Sequence, residues 1–345
     1  MRRHILILFL PFLFIGLSEA QDSLRFSGQL SSWLNWNSAN YFPLWAGLRY
    51  IPQINYEVTT NPGLHFDAEA SANIFGNAGL KPFDTISASG KIKPYRAWIR
   101  LYSEQFELRF GLQKINFGSA SILRPLMWFD QIDPRDPLQL TDGVWGVLAR
   151  YYFLNNTNIW LWGLYGNNES RGWETVPVNS KIPEFGGRVQ LPIPSGEVAL
   201  SYHHRVADSR DIGSGVPSLE KIPENRIGFD IKWDMKAGFW IEGSLTHKGK
   251  DLGLLSNQVI LNAGIDYTFG MGNGIYCAYE QLLATYGNTL LSFDKTTSFS
   301  LVSTNYPFGM FDRLGAIVFY NWDAHKIYTF LSWQRQFDKI MFYLM

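Results

Sequence analysis

The sequence predicts an all-β chain forming a transmembrane antiparallel β-barrel of about 16–18 strands. Three observations lead there. Short segments alternate apolar with polar residues from Leu24 almost to the C-terminus. Short turns and long connectors alternate strictly between those segments. Aromatic residues, 16% of the chain, crowd the segment ends at Trp36, Tyr50, Tyr151, Trp160, Trp162, Trp233, Tyr267 and Tyr320, where the interfacial girdles of a barrel would lie. A soluble β-sandwich or propeller also alternates, but it does not combine all three features. No stretch after residue 20 reaches the run of about 18 apolar residues that a helical span needs.

Residues 1–20 read as an export signal. Arg2 and Arg3 supply the positive start, Ile5 to Gly16 the apolar run, and Ser18-Glu19-Ala20 a small-x-small cleavage site before Gln21. Pro11 and the shortness of the run argue against a membrane anchor, and no Cys follows the cleavage site. Removing Arg2, Arg3 and Glu19 from 30 basic and 30 acidic residues leaves a net charge of −1, so nothing points to nucleic acid. The one cysteine, Cys277, allows neither an internal disulfide nor a cysteine metal cluster, and no cofactor is expected. Residues 21–345 contain no linker and are expected to form a single barrel domain.

The strands follow in order. Leu24–Trp36 is the first. In Leu48–Thr59, Leu48, Tyr50, Ile54, Tyr56 and Val58 oppose Arg49, Gln53, Asn55 and Glu57. Leu64–Asn73 and Tyr95–Tyr102 alternate in the same way. After the central stretch come Asn158–Tyr165, Glu184–Leu191, Glu197–Arg205, Arg226–Trp233, Phe239–Thr246 and Gln258–Phe269, then Ile275–Gln281, Phe299–Thr304, Arg313–Tyr320, Ile327–Arg335 and Ile340–Met345. Leu261, Ile265, Ile231 and Phe110 fall on the apolar face and should meet lipid. Long connectors are expected near 37–47, 75–92, 116–142, 166–183, 206–224, 248–257 and 284–296. The count is 17, odd for a bacterial single-chain barrel. Either an eighteenth strand follows Met345, or Ile340–Met345 is a tail on a 16-strand barrel.

The central stretch runs from Arg109 to Trp145. It opens as a strand, with Phe106, Leu108, Phe110 and Leu112 against Glu107, Arg109, Gly111 and Gln113, and closes as another from Trp145. The connector between them is long and holds Ile122, Leu123, Leu126, Met127, Trp128 and Phe129. Connectors of that length are uncommon unless functional or disordered, and this composition argues against disorder. An extracellular tip would expose those residues as one patch. Residues 118–142 are therefore expected to fold inward and narrow the lumen, with Arg124, Asp130, Asp133, Arg135 and Asp136 as constriction residues. A loop capping the barrel from outside is the alternative.

Polar-face charges sort unevenly. Arg96, Arg100, Arg109, Arg150, Arg188 and Arg205 fall on one wall, and Asp230, Glu242, Asp266 and Glu280 on the other. Such walls would set a field across the pore, or simply brace it with salt bridges. Catalysis is not expected. Ser201 and His203 share a strand face, but no third group orients them and no nucleophile elbow, zinc-helix motif or phosphate loop appears.

The runs RFGLQKINFG, from Arg109, and LRPLMWFDQIDPRDPLQLTDGVWG, ending at Gly146, resemble the porin-like and alginate-export-like outer-membrane barrels of Gram-negative bacteria, whose Arg-x-Gly-x-Gln strand leads into a long loop. The resemblance is sharp over this segment only, and Met345 departs from the usual aromatic C-terminal residue. It implies passive or facilitated passage of solutes across the cell outer membrane and names no solute. The reading taken from the chain as a whole is a channel among outer-membrane lipids, compatible with a homo-oligomer, that passes small polar or anionic solutes. A dedicated exporter of an acidic polysaccharide and a structural or adhesive barrel without a pore are the alternatives.

Overall fold

The structure, a computed structural model, describes residues 23–345 apart from positions 39, 62, 82–83, 134–135, 137, 214 and 291. The expected export signal and Arg135 lie outside the described residues.

Among the described residues seventeen strands follow one another: β1 (Ser23–Trp36), β2 (Leu44–Asn61), β3 (Leu64–Leu80), β4 (Ile86–Tyr102), β5 (Phe106–Gln113), β6 (Val144–Tyr152), β7 (Asn158–Leu164), β8 (Glu184–Ile193) and β9 (Gly196–Ala207), then β10 (Ile222–Asp234), β11 (Gly238–Lys248), β12 (Asn257–Phe269), β13 (Ile275–Gly287), β14 (Lys295–Pro307), β15 (Asp312–Asn321), β16 (Lys326–Gln336) and β17 (Met341–Leu344). Each pairs antiparallel with its neighbours in sequence, from β1 with β2 to β16 with β17. A meander of this length is an up-and-down barrel, because a twisted sheet beyond about ten strands curls on itself.

Alternation gives the sheet two faces. On β12, Gln258, Ile260 and Asn262 are buried, whereas Leu261 and Ile265 are exposed. Carried through the registers, the outer face presents Leu30, Phe110, Leu200, Phe229 and Leu331, all exposed and apolar. Exposed apolar area on that scale is stable against hydrocarbon and costly against water.

Two expectations change. Residues 75–92, read as a connector, are mostly strand: Phe75 pairs with Lys91 and Leu80 with Ile86. The run is rich in Gly, Ala, Ser and Asn, so its two faces differ too little in hydropathy to show the period. Trp160 and Trp162 are not girdle residues. They share the inner parity with Leu164, and Trp162 is buried.

Among the described residues, the inner face is most covered between β5 and β13. Along β1 and β17 most residues on both faces are exposed. What covers the middle of the sheet is its own connectors.

Candidate functional site

The connector 114–143 lies against inner-face side chains, and apolar packing holds one end. Ile115, Phe117, Leu126, Trp128 and Phe129 are buried with Val144, Leu148, Trp162 and Leu164 of β6 and β7. Phe117 stacks on Trp162 with ring centroids 5.6 Å apart, and Phe129 meets the same ring edge-on at 5.4 Å. On the inner faces of β6 and β7, Val144, Leu148, Trp162 and Leu164 are apolar where this connector covers them. On β10, Gly228 leaves room for it: a Cβ there would stand 2.3 Å from Leu126 Cδ2.

Hydrogen bonds hold the stretch between Phe117 and Trp128. Glu242 on β11 accepts from the backbone amides of Ala120 at 2.8 Å and Leu126 at 2.6 Å. Glu280 on β13 accepts from Ser121, Ile122 and Leu123 at 2.8, 3.0 and 2.6 Å. Five amides of one turn thus converge on two wall carboxylates. Such charge-assisted bonds are about twice as strong as neutral ones, and they satisfy backbone groups that no strand pairs. Ser119 Oγ donates to Asp230 at 2.9 Å, and Trp128 Nε1 to Ser244 Oγ at 2.9 Å.

A second connector, 165–183, docks beside the first. Its Glu174 lies 3.3 Å from Arg171, 3.1 Å from Arg205 and 3.1 Å from Arg226. Arg171 reaches Glu184 at 2.7 Å, Arg205 reaches Glu224 at 2.6 Å, and Lys248 lies 3.8 Å from Glu224. All of these side chains are buried, so none can lose its partner without leaving an uncompensated charge. Trp173 Nε1 donates to the Arg124 carbonyl at 2.8 Å, joining the two connectors.

The residues singled out from the sequence therefore have definite partners. Arg188 on β8 makes two hydrogen bonds to Asp230 on β10, at 2.5 and 3.0 Å, across β9. Arg205 pairs with Glu224, Arg100 with Asp67, and Arg109 and Arg150 both with Glu107, at 2.9 and 3.6 Å. Arg96 donates to the Thr141 carbonyl at 3.0 Å. Asp266 accepts from Gly238 N and Tyr276 Oη. In the connector, Arg124 binds Asn116 and the Phe117 carbonyl and lies 3.8 Å from Asp130, while Asp136 lies 4.0 Å from Arg49 on β2. The expected walls of opposite sign meet at Arg188–Asp230, while Arg100, Arg109, Arg150 and Arg205 pair with Asp67, Glu107 and Glu224 on their own or neighbouring strands, and Glu242, Asp266 and Glu280 accept from backbone amides and a hydroxyl. Glu224, Arg226 and Lys248 share the parity of Asp230 and Glu242 and were legible as inner-face charges. Glu224 and Lys248 escape the sequence reading because 206–224 and 248–257 read as connectors, whereas Arg226 opens the expected strand Arg226–Trp233 and its charge is simply not counted there. Glu174 and Arg171 carry no periodic signal at all.

Two connector groups have shifted acidities. Burial is the main cause that pushes the Asp130 carboxyl above the usual range, partly offset by Arg124 and Lys114, and burial likewise lowers Lys114. Ser201 and His203 are occupied with other partners: Ser201 Oγ accepts from Arg188 at 3.1 Å, and His203 sits between Trp162 Nε1 and Glu184 at 3.1 and 3.2 Å.

The architecture is that of the outer-membrane β-barrels, and an outer membrane is where a sheet with this apolar exterior belongs. Among solved structures, the chain is similar to the in-vitro folded trimer form of OmpT, an outer membrane protein of Vibrio cholerae. Identity is 12%, the match covers 94% of this chain and 93% of that one, and the TM-score is 0.52. It is also similar to OmpF of Salmonella typhi in complex with daunomycin, at 11% identity over 90% of this chain and 97% of that one, with a TM-score of 0.50. Likeness at that identity is a likeness of fold. No family model and no curated protein sequence matches the chain.

Proposed function

We propose that the protein is a porin-like channel of the outer membrane that passes small polar solutes, with residues 118–142 narrowing its lumen. The observation that carries this reading is the seat of the connector: five backbone amides on Glu242 and Glu280, inner-face carboxylates of β11 and β13. A connector held this way occupies lumen cross-section, while the strands β1 and β14–β16 are less covered. The chain is one barrel domain behind a cleaved export signal. The trimer form of the Vibrio cholerae protein, which shares the fold, supports a homo-oligomer here. An exporter of acidic glycans would want free arginines along its path, but Arg188 and Arg205 are committed to Asp230 and Glu224.

Planar-bilayer recording of refolded protein tests the reading. Discrete, ohmic conductance steps are expected. Protein that migrates heat-modifiably on gels and inserts, yet conducts nothing, would contradict it.

A further inference from the structure

A cavity of about 910 Å³ lies between connector 114–143 and β2–β4 on one side and β14–β16 on the other. Its two sides differ in chemistry. On the β14–β16 side it is lined by Phe299, Phe319, Tyr328 and Phe330, all of inner parity, with Phe319 and Phe330 meeting edge to face at 5.9 Å. The inner face around them is uncharged: Thr297 to Asn305 on β14, Gly315 to Asn321 on β15 and Tyr328 to Gln334 on β16 place no acid or base on that parity. Phe299 packs at its edge against buried Ile260, Leu282 and Ala284, whereas Phe319, Tyr328 and Phe330 belong to none of the buried apolar clusters among the described residues. The strip offers a flat surface for the apolar face of a solute.

The facing side is polar but nearly balanced in charge. Arg49 is paired with Asp136 at 4.0 Å and Lys93 with Asp142 at 2.6 Å, and basic and acidic lining groups occur in similar numbers among the described residues. Hydrogen-bonding capacity nevertheless remains. Arg171, buried at the cavity wall, keeps Nε and Nη1 without a hydrogen-bond partner, and Asp130 keeps Oδ2. An anion or a cation meets no surplus of opposite charge here. A molecule with a flat C–H face and a rim of hydroxyls matches both sides at once, giving its face to the rings and its hydroxyls to guanidinium and carboxylate groups.

We propose that this cavity is a binding site for neutral sugars on the solute path. The proposal rests on the channel reading and narrows its solute class to uncharged, hydroxyl-rich rings. Single-channel recording with maltose as the probe tests it. Maltose should interrupt the ion current with saturating concentration dependence, and a polyethylene glycol of similar size should lower the current without saturation. Replacing both Phe319→Ala and Phe330→Ala should weaken the maltose block about tenfold, and Phe330→Trp should retain it. A protein that conducts but shows no saturable maltose block, or is blocked only by citrate, overturns the sugar site and leaves the channel standing. A folded protein without conductance overturns both. Should the double variant not fold, the wild-type titration alone decides.

Discussion

Gly118 stands directly against Glu242. A Cβ on Gly118 would lie 2.5 Å from Oε2 of that carboxylate, and Gly118 itself adopts φ +110°, a conformation L side chains rarely take. The turn that delivers Ala120 and Leu126 to Glu242 therefore requires a glycine on both counts. Gly118→Ala should displace the carboxylate from its two amides. Glu242→Ala should leave those two amides unpaired, weakening connector docking by about 3–6 kcal/mol at the ~1.5–3 kcal/mol typical of each hydrogen bond to a charged group. Limited proteolysis within 118–142 measures this: both variants should be cut where the parent resists, with the barrel still heat-modifiable.

Arg188 and Asp230 form an ion pair on the inner face, at 2.5 Å with both side chains buried. Asp230→Ala leaves a guanidinium buried without its counter-charge and should destabilise the barrel by about 3–5 kcal/mol. Replacing both partners with apolar residues should cost less than the single change. Urea unfolding of detergent- or lipid-refolded protein compares the two.

Burial raises the pKa of Asp130, so its neutral form suits the docked connector better than its carboxylate. The sign follows from linkage: this contribution is fully present below the unfolded-state value and is lost as pH rises through the folded one. Acidification should therefore tighten connector docking, and Asp130→Asn should hold it tight at neutral pH. Protease resistance of the connector across that range, parent against variant, checks both statements.

On β1, neighbouring residues face opposite ways, with Leu30 on the apolar face and Gln29 on the polar one, and both are exposed. Leu30→Arg should cost about 2–4 kcal/mol if it sits near the bilayer midplane, and Gln29→Arg should cost little. Equal losses in refolding titrations would mean the faces are assigned wrongly.

Most of the architecture was legible because a barrel writes its two faces as a period of two. The chain shows that period clearly in Gln258–Phe269, and all 17 strands appear. It fails where composition flattens the contrast, as in residues 75–92. The inner face was read as a wetted wall, which holds for Gln29. It does not hold for Asn262, which is buried and accepts from Trp240 Nε1 at 3.1 Å. Whether an inner position is wet depends on which connector lies over it, and that is a long-range fact without local period. Glu174 shows the limit most plainly: one acid in an irregular connector, meeting arginines from β9 and β10 that nothing near it in sequence announces.

The central claim, that residues 118–142 narrow a conducting lumen, is tested most directly by deleting residues 120–138 and comparing single-channel conductance with the parent. The deletion removes Leu126 and Trp128 from the inner face and frees Glu242 and Glu280. Conductance should rise in protein that still refolds and inserts. An unchanged conductance in such protein would contradict the claim.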